Sequence, residues 1–392
     1  VAKEIEDMLE ELERDGNKIT RFSIVGYSLG GLVARYAIGL LYHKGYFEKI
    51  TPVNFTTFAT PHLGVRTPLT GYQNHLWNVL GARTLSKSGR QLFLIDTFRD
   101  TNRPLLSVLA DPGSIFIQAL SLFKRRSLYT NIVNDRTAVY YCTGISKTDP
   151  YACLDKLSIR YVEGYEPVIL DPDHPYDIKP EHELPSFYQR VHTGSRTFLR
   201  RTPIFLALAV LIPIATVVFL ASSCVQTFRS RRRIQLHETD QQGTGFSMYK
   251  IPYMVREMRV GLEDAFENVN AAQQYDYLPE GSEEIASVPA SPSMFTFPAA
   301  SAESLSSEKS DVDLLKNNPS MSDRAPEFPT LALTQEQFQM IKALDDVGFR
   351  KYPVYIHKSS HSHAAMIVRT PRAAFEEGKV VIKHWLENEF DI

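Results

Sequence analysis

Arg21-Phe-Ser-Ile-Val-Gly-Tyr-Ser-Leu-Gly-Gly-Leu-Val-Ala-Arg35 is the stretch whose reading decides the fold. It sets a Gly-x-Ser-x-Gly pattern between a short apolar run and an amphipathic one, which is where a serine nucleophile sits in hydrolytic α/β folds. Phe22 to Val25 reads as a buried strand. Leu29, Leu32, Val33, Tyr36, Ala37, Leu40 and Leu41 then recur at helical spacing, so a helix is predicted to run to about Tyr42. A sharp strand-to-helix turn strains the backbone of Ser28 and lifts its hydroxyl clear of the sheet. Gly26 and Gly30 are expected to remove the side chains that would collide as the chain doubles back. The Leu29 amide is left at a helix N-terminus, where backbone N–H groups and the helix dipole stabilise a developing oxyanion.

Working outward, residues 1–14 read as an amphipathic helix that stops at Asp15-Gly16. Val53 to Phe58 alternates and ends in Ala59-Thr-Pro-His-Leu-Gly64, a second strand emerging at the same sheet edge as Ser28. Leu128 to Val133 is a third strand that closes on Asn134-Asp135. Strands alternating with helices give an α/β class. Residues 66–124 mix helix and loop, and the apolar clusters at Leu92–Ile95 and Ile115–Phe123 are expected to form a cap over the serine. From 145 to 200 the pattern fades into Pro- and Asp-rich loops. Near the end, a helix is predicted over Gln335–Leu344, a strand over Val354–His357 and a loop over Lys358–Ser362. Pro371 opens a last helix through Leu386.

A serine hydroxyl is a weak nucleophile at neutral pH and needs a base, itself oriented by a carboxylate. After a Gly-x-Ser-x-Gly turn the acid and then the histidine follow in the chain. Asp135 and His363 satisfy that order, with His363 in the loop His361-Ser-His-Ala-Ala-Met-Ile-Val368. His361 and His357 are its rivals. His62 reads as structural or as a hinge, and Asp135 has a bland alternative as a turn-forming residue that bonds its own backbone. No His or Glu pair falls at ligand spacing on one helix face, so neither metal nor cofactor is expected. A net charge of −2 gives no argument for nucleic acid. Cys142, Cys153 and Cys224 match neither a zinc site nor a disulfide framework and fit a reducing compartment.

Ile204 to Ala221 holds no charged residue over 18 positions, extending to Val225, which is the length of a membrane span. Arg200 and Arg201 flank one end, and Arg229, Arg231, Arg232 and Arg233 the other. A single crossing would put Ser28 and His363 on opposite sides. Basic residues at both ends, and Pro213 at the middle, favour a hairpin or monotopic insertion with both ends cytosolic. A buried core helix and an ordinary span are the alternatives. Pro, Ser, Glu and Ala dominate residues 279–325, which read as a disordered linker. The chain therefore divides into a core with nucleophile and acid (1–150), an insertion with the apolar segment (151–278), the linker, and a C-terminal part carrying the histidine (326–392).

Gly26-Tyr-Ser-Leu-Gly-Gly-Leu-Val-Ala-Arg-Tyr36, Phe58-Ala-Thr-Pro-His-Leu-Gly-Val65, Gln91-Leu-Phe-Leu-Ile-Asp96 and Asn131-Ile-Val-Asn-Asp-Arg-Thr137 together resemble the fungal putative serine esterase and lipase family. That family includes yeast monoacylglycerol-lipase-like and lipid-droplet phospholipase proteins. The resemblance implies an α/β-hydrolase fold, here without the upstream strand whose His-Gly segment supplies a second oxyanion donor. It also implies Ser28 as nucleophile, Asp135 as acid and His363 as base. The activity to expect is cleavage of lipid esters at an endoplasmic reticulum or lipid-droplet surface, with the catalytic domain cytosolic and no protein partner specified. A non-catalytic membrane scaffold and a lipid acyltransferase are the rival readings.

Overall fold

The structure, a computed structural model, describes residues 1–66, 68, 87–135, 137–180, 277–278 and 328–392. Among these, four parallel strands make the main sheet, in the order β1 (Arg21–Tyr27), β2 (Thr51–Phe58), β3 (Arg125–Asn131) and β6 (Arg350–Val354). A short antiparallel pair, β4 (Leu157–Ile159) and β5 (Tyr176–Ile178), lies in the region read as loops. Helix α1 (Ala2–Arg14) precedes β1 and ends at Asp15, with Gly16 in a left-handed conformation. Helix α2 (Leu29–His43) links β1 towards β2, and α3 (Ile115–Ser121) lies in the crossover from β2 to β3.

β2 is flanked on both sides, so every residue from Pro52 to Phe58 is buried. Its sequence alternation does not become a wet and a dry face. β1 behaves in the opposite way: it forms the margin of the described sheet, and Val25 is 45% exposed. The reading of 22–25 as a wholly buried strand is therefore corrected, because no described strand covers its outer side.

One face of the sheet packs Phe55 and Leu128 against Leu32 and Ile38 of α2, against α3, and against Phe338, Ile341 and Leu344 of helix α4 (Gln335–Val347). The ring of Phe116 presses on α2 where Gly39 leaves space, at 2.2 Å from the position a Cβ would take. The expected cap at Ile115–Phe123 is thus a core helix, drawn in because Ile117, Ala119, Leu120 and Phe123 all find apolar partners there. Helix α4 starts with a reciprocal cap between Thr334 and Gln337 and stops at left-handed Gly348.

The other face is an aromatic ladder across three strands. Phe58, Tyr129 and Tyr352 stack at centroid distances of 4.9 and 5.1 Å, covered by Met366, Phe375 and Val381. Two C-terminal expectations shift. The last strand is Arg350–Val354, since the Tyr355 N–H leaves the sheet to bond the Val168 carbonyl at 2.8 Å. The last α-helix, α6 (Glu377–His384), begins six residues beyond Pro371, after a 3-10 turn at Ala373–Phe375, and runs on as a π-helical turn over Trp385–Glu389, past the expected end at Leu386. The apolar segment 204–225, the linker 279–325 and Cys224 lie outside the described residues. Among the described residues no helix is long and apolar enough to cross a membrane.

Candidate active site

The C-terminal ends of β1, β3 and β6 point the same way, and in open parallel sheets that end is where ligands bind. β1 delivers Ser28. Its φ of 54° and ψ of −130° are the strained turn expected from the sequence, of the kind that costs on the order of 1–3 kcal/mol. The Ser28 N–H still donates to the Phe58 carbonyl at 2.9 Å, so the ladder extends through the turn and holds the strain in place. Gly26 is required here: a Cβ on it would meet the Gly31 Cα at 2.3 Å. Gly30 is not, since a Cβ there meets nothing within 4 Å. The second crowded glycine is Gly31, whose Cβ would fall 2.2 Å from Thr60 Oγ1. The helix rises from the turn with residue 31, one position later than expected, on its sheet-facing side.

β3 delivers Asp135, four residues past its end. Oδ1 accepts the Ala138 N–H at 2.8 Å and the Thr137 N–H at 3.2 Å. Oδ2 accepts from Asn131 Nδ2 at 2.9 Å and faces His363 Nδ1 at 2.8 Å. One oxygen thus makes the backbone turn and the other meets the imidazole, so the two readings of Asp135 coexist in one side chain.

His363 lies on a single helical turn, α5 (Ser362–Ala365), rather than in an open loop. Its Nε2 is 3.0 Å from Ser28 Oγ. With the proton on Nδ1, donated to Asp135, Nε2 is left as the acceptor for the serine hydroxyl. The carbonyl of His363 accepts from Tyr27 Oη at 3.1 Å, and the two rings lie 5.1 Å apart. Ser362 Oγ donates to the Val133 carbonyl at 2.9 Å, joining the turn that carries His363 to the loop that carries Asp135.

The other histidines are elsewhere. His62 is buried, with Nε2 on Thr57 Oγ1 at 3.0 Å, and burial together with Arg35 and Lys351 holds its pKa well below the usual imidazole value. His357 stacks on Tyr355 at 3.7 Å. The His361 N–H donates to Ser359 Oγ at 3.1 Å. Leu29 opens α2 with its side chain 43% exposed.

Sequence reasoning missed Tyr27, Asn131 and Ser362, although all three stand within four residues of a residue it named. It also missed Arg35, which is 1% exposed with Nε, Nη1 and Nη2 unpaired among the described residues, and whose pKa burial pulls down to about 10. Only its helical position, one turn beyond Gly31, hinted at burial.

Residues 1–148 match the model of the family described as "Putative serine esterase (DUF676)". The matched segment contains Ser28 and Asp135, while His363 comes from outside it. The chain is similar to "Putative lipase C4A8.10" of Schizosaccharomyces pombe, 32% identical over 162 residues, which is 39% of this chain and 20% of the relative. It is also similar to "Putative lipase ROG1" of Saccharomyces cerevisiae, 32% identical over 174 residues, 44% of this chain and 24% of the relative. The chain thus spans about a fifth to a quarter of the length of these curated relatives. No solved structure matches it.

Proposed function

We propose that this chain is the core of a serine hydrolase of the α/β-hydrolase fold that cleaves lipid carboxylic esters, with Ser28 as nucleophile, His363 as base and Asp135 as orienting acid. The observation that carries the reading is the hydrogen-bonded series Ser28 Oγ, His363 Nε2, His363 Nδ1, Asp135 Oδ2, formed at the ends of three parallel strands. The family match and the lipase-named relatives support the ester and lipid parts. So do Leu29 and Val33, one helical turn apart beside Ser28 and 43% and 41% exposed, which offer apolar surface to an acyl chain.

In this mechanism Ser28 Oγ attacks the ester carbonyl carbon while His363 Nε2 takes its proton. The Leu29 N–H, at the head of α2, stabilises the oxyanion. The tetrahedral adduct collapses with cleavage of the ester C–O bond, and His363 gives its proton to the leaving alcohol. Water, deprotonated by His363, then attacks the acyl carbon and releases the acid and the serine. Asp135 stays ionised throughout and supports the imidazolium.

Ser28 and His363 stand on either side of 204–225 in the chain, so their 3.0 Å approach supports an apolar segment whose two ends lie on one side of a membrane or lipid-droplet surface, and the arginines flanking both ends support the cytosolic side. The test is labelling of the full-length protein by a fluorophosphonate probe. Labelling should vanish in Ser28→Ala, and should fall on the order of 1,000-fold or more in His363→Ala and Asp135→Asn. Free fatty acid should be released from lipid ester by the wild type alone. Labelling that survives Ser28→Ala, or a well-expressed wild type that never labels, would defeat the reading and favour a scaffold.

A further inference from the structure

The base stands farther along the chain from its strand than either of the other members of the site. Ser28 follows directly on β1 and Asp135 stands four residues past the end of β3, but His363 stands nine positions past the end of β6, and 355–361 form neither helix nor strand. A segment of that kind drifts unless something fixes both its ends, and a displacement of about 1 Å at a catalytic base costs on the order of 100-fold in rate.

Two consecutive residues at the start of α6 supply that fixing. Glu377 is buried, and its Oε2 accepts the N–H of His357 at 2.8 Å and the N–H of Lys358 at 2.9 Å. These are charge-assisted bonds to the entrance of the base segment. Its Oε1 lies 3.6 Å from His357 Nδ1. Gly378 takes the exit: a Cβ on it would sit 1.9 Å from the Ala365 carbonyl oxygen and 3.0 Å from that of Met366. Helix α6 therefore lies directly against the end of α5, less than one turn of backbone from the imidazole.

We propose that Glu377 and Gly378 are positioning residues for His363, a two-residue clamp that grips the base-carrying segment at 357–358 and at 365–366 and so sets the imidazole between Asp135 and Ser28. The inference rests on the reading of His363 as the base. Neither clamp residue touches Ser28, and they act only through the backbone that carries the histidine. The clamp belongs to the last 20 residues of the described chain, outside the esterase-family match.

The experiment measures second-order rate constants for fluorophosphonate labelling of the full-length protein across pH. It compares wild type, Glu377→Ala, Glu377→Asp, Glu377→Gln, Gly378→Ala and the exposed control Lys379→Ala, each at a temperature where thermal unfolding shows it folded. Glu377→Ala and Gly378→Ala should label on the order of 100-fold more slowly. Their acid limb should move to lower pH, because an imidazolium set less squarely on Asp135 is less stabilised. Glu377→Asp, which keeps the charge but shortens the reach, should lose about tenfold and carries the test if the alanine variant does not fold. Glu377→Gln should recover most of the rate, since one amide oxygen still accepts both N–H groups, and Lys379→Ala should match wild type. Wild-type rates and an unmoved pH profile in folded Glu377→Asp and Gly378→Ala would overturn the clamp while leaving the serine mechanism standing. A wild type that does not label at Ser28 would overturn both.

Discussion

Gly26→Ala and Gly30→Ala look equivalent in the Gly-x-Ser-x-Gly pattern, yet they should behave in opposite ways. At Gly26 the new methyl would lie 2.3 Å from the Gly31 Cα and 2.6 Å from its N. Both are backbone atoms of α2, so no side chain can rotate away. Ordinary contact begins at 3.4 Å, so α2 must retreat by about 1 Å or β1 must yield by as much. Either movement carries the Leu29 amide and Ser28 with it. The stability cost of such overpacking is about 1–3 kcal/mol, and an Å of misplacement at the reacting atoms removes on the order of 100-fold in rate. At Gly30, in the first turn of α2, the methyl meets nothing, and alanine at such a position stabilises by about 0.4–1 kcal/mol by restricting the unfolded chain. The assay is thermal unfolding beside fluorophosphonate labelling of each variant in the full-length protein. Gly26→Ala should unfold earlier and label at least 100-fold more slowly. Gly30→Ala should unfold at the same temperature or later and label as wild type does. A Gly26→Ala protein with wild-type rate and stability would refute the claim that backbone approach at the turn sets the geometry of the serine.

Two further outcomes follow from buried basic side chains. His384 donates to or accepts from Tyr129 Oη at 2.8 Å, and burial, then Arg350, hold its pKa at about 4 against a reference of 6.5. As pH falls the unfolded chain binds this proton first. Stability is therefore complete above pH 6.5, is lost by about 3 kcal/mol between 6.5 and about 4, and levels off below. Denaturant midpoints across that range should show the loss, and His384→Gln should flatten it; an unchanged slope would refute the assignment. Arg35 is buried with its guanidinium unpaired among the described residues, so Arg35→Met, which fills similar volume without the charge, should raise the unfolding midpoint by a few degrees. A fall of several degrees in calorimetry would mean that the guanidinium has a partner in the folded protein.

The α/β class, the strand-turn-helix at Ser28 and the selection of Ser28, Asp135 and His363 as residues to be brought together were legible in the sequence because they depend on local periodicity and on spacing along the chain. Ser28 needed only a glycine pattern between an apolar run and an amphipathic one. Asp135 needed only a strand end, and the start of α4 only Thr334 and Gln337. Tertiary structure decided what depends on neighbours. Whether β1 or β2 is buried turned on which strand lies inside the sheet, and the alternation of residues 53–58 could not tell. Ile115–Phe123 became core rather than cap because Gly39 of α2 leaves room for Phe116. Gly31, not Gly30, is the crowded position, since crowding depends on where Thr60 of another loop falls. Of eleven histidines, the one that meets both Ser28 and Asp135 is set by Ser362, Tyr27, Glu377 and Gly378, whose partners lie far away in the chain. Contacts of that kind have no period and no local composition, so only the folded chain brings them together.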